Sequence, residues 1–155
     1  MSNGTPRKIG AVIAGLAFFI AMEAIGNVIA IHAWPAYAAA FPTRAFTLPM
    51  LLARQASGVT LTIVAGCLVS IIARRDQLAV LWAGIAGFSI VALNQLMSAE
   101  WLHYPLWYRL LFLSYIVPGS LLGGWLNCRA ASALTPTSDS QRRRRVRVWV
   151  HGPDR

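Results

Sequence analysis

Four long apolar stretches, separated by short polar breaks, leave this chain few ways to fold. They run from about Ile9 to Ala33, Leu48 to Ala73, Leu78 to Ser98 and Leu106 to Asn127. A helix crosses the ~30 Å hydrocarbon core of a bilayer with roughly 20 mostly apolar residues, so each stretch is long enough to span once. The alternative, a soluble domain, lacks the residues to face water: only 12% of the 155 residues are charged, where a soluble domain carries about 25%. The pattern predicts an all-α membrane protein, a bundle of four transmembrane helices over residues 1–128. The first stretch reads as a span and not as a cleaved leader. It is too long, it carries Glu23, and no small-x-small site opens a polar mature domain.

An even number of spans puts both termini on one side, and the arginines say which. Arg7, Lys8, Arg74, Arg75, Arg129, Arg142, Arg143, Arg144, Arg145, Arg147 and Arg155 fall on the side of the termini, eleven of the 14 basic residues. Positive residues collect in the cytoplasm, so both termini are predicted to be cytoplasmic and the membrane to be a bacterial inner membrane. Trp34, Tyr37, Trp101, Tyr104, Trp107 and Tyr108 cluster at the opposite, outer interface, as an aromatic belt does.

The net charge of +9 is therefore a topology signal before it is a binding signal. Residues 129–155 read as a disordered basic cytoplasmic tail, rich in Ser, Thr and Pro and then in arginine. Arg142, Arg143, Arg144, Arg145 and Arg147 are predicted to attract anionic lipid headgroups. No nucleic-acid partner is expected, because no binding fold or stacking platform accompanies the run.

Polar residues inside a span are costly, and each is a candidate site. Glu23 stands mid-span with Asn27 four residues on, hence on the same helical face. Arg54 and Gln55 lie in the second span, Asn94 and Gln95 near the outer end of the third, and Arg109 opens the fourth. At 1.5 Å per residue from the outer ends, Glu23 lies ~15 Å deep, Asn27 and Arg54 ~9 Å, Asn94 ~6 Å. Antiparallel neighbours joined by a short loop usually pack together. A buried Glu23–Arg54 pair flanked by Asn27, Gln55 and Asn94 is the predicted intramembrane cluster, either structural glue or a substrate, proton or ion site. Arg109 is expected to snorkel to the outer headgroups.

Other chemistry is sparsely represented. His32, His103 and Glu100 lie at the outer ends but lack helical ligand spacing, so no metal or haem is predicted. Cys67 and Cys128 are far apart and near cytoplasmic helix ends, which excludes a disulfide framework and a thiol oxidase. No nucleophile–base pair or phosphate loop is present, so neither an enzyme nor a cofactor is expected. Gly58, Thr62 and Gly66, and Gly119 with Gly123 beside Ser120 with Gly124, recur every four residues and mark faces where helix backbones approach, within the chain or between copies. Pro118 is expected to kink the fourth span.

The run Gly15…Glu23-Ala24-Ile25-Gly26-Asn27, the Pro35…Pro42 loop and the block His103-Tyr104-Pro105-Leu106-Trp107-Tyr108…Pro118-Gly119-Ser120-Leu121-Leu122-Gly123-Gly124 resemble a group of small bacterial four-helix membrane proteins of unknown function, over about residues 10–126. Glu23-Ala24-Ile25-Gly26 is also similar to the membrane-glutamate site of small multidrug-resistance exporters. That resemblance implies drug–proton exchange. The chain departs from those exporters in its longer first loop, its tail and Arg54, whose permanent charge would repel a cationic drug. Two functions follow from the sequence: a structural or accessory inner-membrane protein with a Glu–Arg cluster, or a small proton-coupled transporter using Glu23. A homo-oligomer or another membrane protein is a possible partner.

Overall fold

The computed structural model describes residues 4–134, without the side chains of Gly4, Glu100 and Leu134. Five α-helices follow one another: α1 (Gly4–Ala33), α2 (Pro35–Ala40), α3 (Leu48–Ile72), α4 (Gln77–Met97) and α5 (Leu106–Leu134), with a 3₁₀ segment at Ala99–His103 before α5. Four of them, all but the short α2, are long and apolar enough to cross a membrane. The arginines of residues 142–147, with the rest of the proposed tail beyond residue 134, lie outside the described residues.

The elements begin and end where local chemistry says they should. Trp34 is extended, and Pro35 follows it at the start of α2, because proline disfavours helix in the residue before it and suits a first turn. Pro49 sits in the first turn of α3 in the same way. Asp76 caps α4, its carboxylate accepting from the amides of Leu78 and Ala79. The α3–α4 turn is tight enough to hold Arg74 and Arg75 at φ of 55° and 66°. Two consecutive left-handed non-glycine residues cost of order 1 kcal/mol or more each. The amide of Arg75 donating to the Ser70 carbonyl at 2.6 Å closes the turn. α5 continues as helix past Asn127 and runs through Pro118.

α3 is the central helix, packed chiefly on α5 and then on α1, while α4 packs on α5. The small residues explain the first of these contacts. A Cβ built on Gly66 would collide with the backbone of Ser120, and one on Gly123 with the Ile63 carbonyl. Only glycine lets the two backbones come so close, and in lipid such van der Waals fit replaces the hydrophobic drive. Ala11, Val69, Ala73, Ala79, Val80 and Ala83 form the core cluster between α1, α3 and α4. Large apolar side chains cover the outside instead, with Ile9, Ile13, Ile20, Val28 and Ile29 on α1 more than half exposed. Such a surface is compatible with a bilayer as its solvent.

At the end holding Arg7 and Lys8, polar contacts fasten the helices. Lys8 pairs with Asp76 at 2.5 Å, Arg7 Nε donates to the Ile72 carbonyl at 2.6 Å, and Asn127 donates to the Ser70 hydroxyl at 3.1 Å. The Lys8 ammonium, and then the two capping amides, hold the Asp76 carboxyl below the usual carboxylate range.

Candidate functional site

The other end of the bundle carries the site. Its centre is Arg54, two turns into α3. The guanidinium Nη2 stands 3.8 Å from Glu23 Oε1 on α1, and the two side chains retain 21% and 29% of their exposure. The pair is half-buried, not buried, and borders a cleft on either side. At 3.8 Å the contact is an ion pair but not a hydrogen bond, which needs about 3.2 Å or less.

Arg54 Nη1 reaches further. It donates to the Tyr37 hydroxyl at 3.1 Å and, more weakly, to the Tyr104 hydroxyl at 3.4 Å. Tyr37 in turn donates to Asn27 Oδ1 at 2.7 Å. Tyr37 arrives because α2 folds back over the end of α1, and it is 2% exposed. That burial pushes its hydroxyl above the ordinary tyrosine range, against the opposing pull of Arg54, so the phenol stays neutral and keeps its proton to donate. Tyr104 is held extended ahead of Pro105. The guanidinium also lies over the rings of Phe46 and Tyr104, 5.6 and 5.9 Å from their centroids. One cation thus joins α1, α2, the loop carrying Phe46 and the segment leading into α5. Around it the rings of Tyr37, Phe46, Tyr104 and Tyr108 follow in sequence at 5.1–5.8 Å between centroids.

The remaining polar residues divide. Asn27 joins the network through Tyr37. Asn94 is exposed and accepts from Trp101 Nε1 at 3.3 Å, and it lines the same cleft as Glu23 and Arg54. Gln55 turns away, donating to the Tyr108 carbonyl of α5 at 2.8 Å. Neighbouring residues on a helix point about 100° apart, so Arg54 and Gln55 cannot serve one site. Gln55 Oε1 and Gln95 Nε2 are both buried without a partner among the described residues. Arg109 is half-buried, and its Nε is shut away from solvent. His32 contacts the Val28 carbonyl of its own helix at 2.8 Å. Among the described residues no group of three or more His, Cys, Asp or Glu side chains could hold a metal ion.

Tyr37 and Tyr104 are the partners that spacing along the chain does not reveal. The local signal for both is a proline: Pro35 starts the helix that delivers Tyr37, and Pro105 fixes the backbone of Tyr104.

Two clefts flank the Glu23–Arg54 pair. One of about 170 Å³ opens between α1 and α3 and includes Tyr37, Ser57 and Met50. The other, of about 410 Å³, opens between α1 and α4. Glu23, Asn27 and Arg54 line both, so the pair is the partition between them. Chemically the arrangement offers one carboxylate, one guanidinium and several neutral hydrogen-bonding groups in apolar surroundings. No known protein family, characterised protein or solved structure matches the chain.

Proposed function

We propose that this is a small multi-pass protein of the bacterial inner membrane, with both termini cytoplasmic, whose role is structural or accessory and not catalytic. The observation that carries this reading is the valency of Arg54. Its donors are directed to Glu23, Tyr37 and Tyr104 on three different segments, which is the use of a charged group as a latch. The arginine asymmetry of the sequence supports the orientation. The arginines at positions 142–147 then face anionic headgroups on the cytoplasmic side. The exposed apolar flank of α1 suits a second copy or another membrane protein as well as lipid. No role with nucleic acid is proposed.

A proton-coupled carrier is the second reading, and one observation favours it. Glu23 receives no hydrogen bond from any described residue and borders both clefts. The two readings separate in proteoliposomes under an imposed pH gradient. The structural reading expects the wild-type chain and Glu23→Gln to dissipate the gradient at the same rate as empty vesicles. Gradient dissipation by the wild type that Glu23→Gln abolishes would replace it with the carrier.

A further inference from the structure

The α1–α4 cleft does not end at the polar cluster. Phe19, Ile20, Ile90 and Val91 line it, and the same four residues line a second cavity of about 70 Å³ deeper in the bundle. The two adjoin along these four residues, and we read them as one groove. Its outer end holds Glu23, Asn27, Arg54, Asn94 and Trp101. Its inner end is almost wholly apolar and passes Leu16, Ala65, Val69, Ala83 and Gly87. From Glu23 down to Leu16 the α1 wall spans roughly 10 Å at 1.5 Å per residue. A groove polar at one end and apolar for that length beyond it matches an amphiphile with one chain.

The charge at the polar end decides the head. Glu23 and Arg54 are the charged side chains lining it, opposite in sign, so the site is neutral as it stands. An added cation would face Arg54 and an added anion Glu23, each leaving an uncompensated charge in poorly solvating surroundings. At 3.8 Å the pair is too long to hydrogen-bond directly. A hydroxyl placed between them donates to the carboxylate and accepts from Nη2, satisfying both. Asn94, exposed on the same wall, offers a further amide. We propose that the α1–α4 groove binds a neutral, hydroxyl-headed single-chain lipid of the monoacylglycerol class, head at Glu23–Arg54 and chain along Leu16 and Gly87. The hydroxyl bridges the Glu23–Arg54 contact of the latch, so the site rests on that reading, and labelling tests it separately from unfolding.

The test uses the full chain in phosphatidylcholine nanodiscs with a monoacylglycerol carrying a diazirine near its chain end. Photolabelling should fall on residues 15–20 of α1 and 83–91 of α4. Excess unlabelled monoacylglycerol should compete. A fatty acid and an alkyl-ammonium of equal chain length should not. Glu23→Gln should weaken competition about tenfold, the loss of one charge-assisted hydrogen bond. Gly87→Leu should remove groove labelling while circular dichroism and gel-filtration profile are kept. A Cβ there meets only ordinary contacts with Ile116 and Leu16 at 3.5 Å, so the longer side chain grows into the groove. Labelling spread over lipid-facing residues such as Leu96 would overturn the groove. Equal competition by all heads, or no effect of Glu23→Gln, would overturn the head assignment.

Discussion

Arg54 and Tyr37 are joined by a hydrogen bond of 3.1 Å across an interval of 17 residues, and that bond fixes where α2 lies. Tyr37 passes the constraint to Asn27 of α1 at 2.7 Å. A six-residue helix has no stability of its own; its position is set by this tyrosine and by the Phe41 and Phe46 rings 6.2 and 5.1 Å away. Tyr37→Phe should therefore loosen α2 with little effect on the four long helices. Hydrogen exchange in residues 35–46 should rise, while α3 and α5 stay protected. Uniform loss of protection throughout the bundle would show that the tyrosine does more than hold α2.

Close approach of α3 and α5 depends on the absence of a side chain at Gly123. Gly123→Leu pushes a Cβ into the Ile63 carbonyl and to 2.9 Å from the Cys67 amide, and overpacking of this kind costs about 1–3 kcal/mol. Gly10→Leu is the control: nothing lies within 4 Å of a Cβ there, and replacing a mid-helix glycine is neutral or favourable by about 0.5–1 kcal/mol. Denaturation in mixed micelles should separate the two variants in that order. Equal behaviour would mean that α3 and α5 are not packed backbone to backbone.

The Lys8–Asp76 pair makes stability depend on acid. The folded state depresses the Asp76 carboxyl, first through Lys8 and then through the α4 amides. A depressed carboxyl contributes stability above its unfolded value, about 3.9, and loses it as pH falls through the lower folded value. Asp76→Asn should thus lower the melting temperature at pH 7. The gap to wild type should close as the pH drops below about 4. A gap that stays constant down to pH 3 would show that ionisation of Asp76 is not involved.

The four long helices, and that Glu23 and Arg54 stand at one level, were legible because both follow from counting. Length against bilayer thickness delimits a helix, and rise per residue gives the depth of a side chain. Rotation about the helix axis was not legible to the same degree. Gln55 sits beside Arg54 in sequence yet bonds to α5, since the face a residue presents depends on which neighbour each helix meets. The contributions of Tyr37 and Tyr104 were hidden for a related reason. Both come from segments between spans whose path is set by Pro35, Pro105 and the aromatic contacts around Phe46, and an interfacial tyrosine has the same sequence signature whether it faces lipid headgroups or an arginine. The clefts beside Glu23 have no sequence signature at all, being spaces left by α1.

Orientation rests on the arginines and has its own test. A phosphatase fused after Ala38 should be active and one fused after Arg155 silent, because eleven of the 14 basic residues would otherwise have to cross the membrane. The reverse pattern would invert the bundle and place the Arg54 cluster on the cytoplasmic side.

The latch itself is tested most directly by a double-mutant cycle of Glu23→Gln and Arg54→Gln, followed by thermal and denaturant unfolding in detergent. Each single change leaves a charge in poor solvent, and Arg54→Gln also releases Tyr37 and Tyr104. Polar contacts between membrane helices average about 0.6 kcal/mol and reach about 1.7 kcal/mol, because inserted but unpacked helices also find partners. The half-exposed Glu23–Arg54 pair should show a favourable coupling within that range. Both single variants should melt below wild type, Arg54→Gln the lower of the two, and the double variant should lose less than the sum of the two losses. Strictly additive losses would show that the two residues do not act on each other, and the account of Arg54 as the latch of this end of the bundle would be wrong.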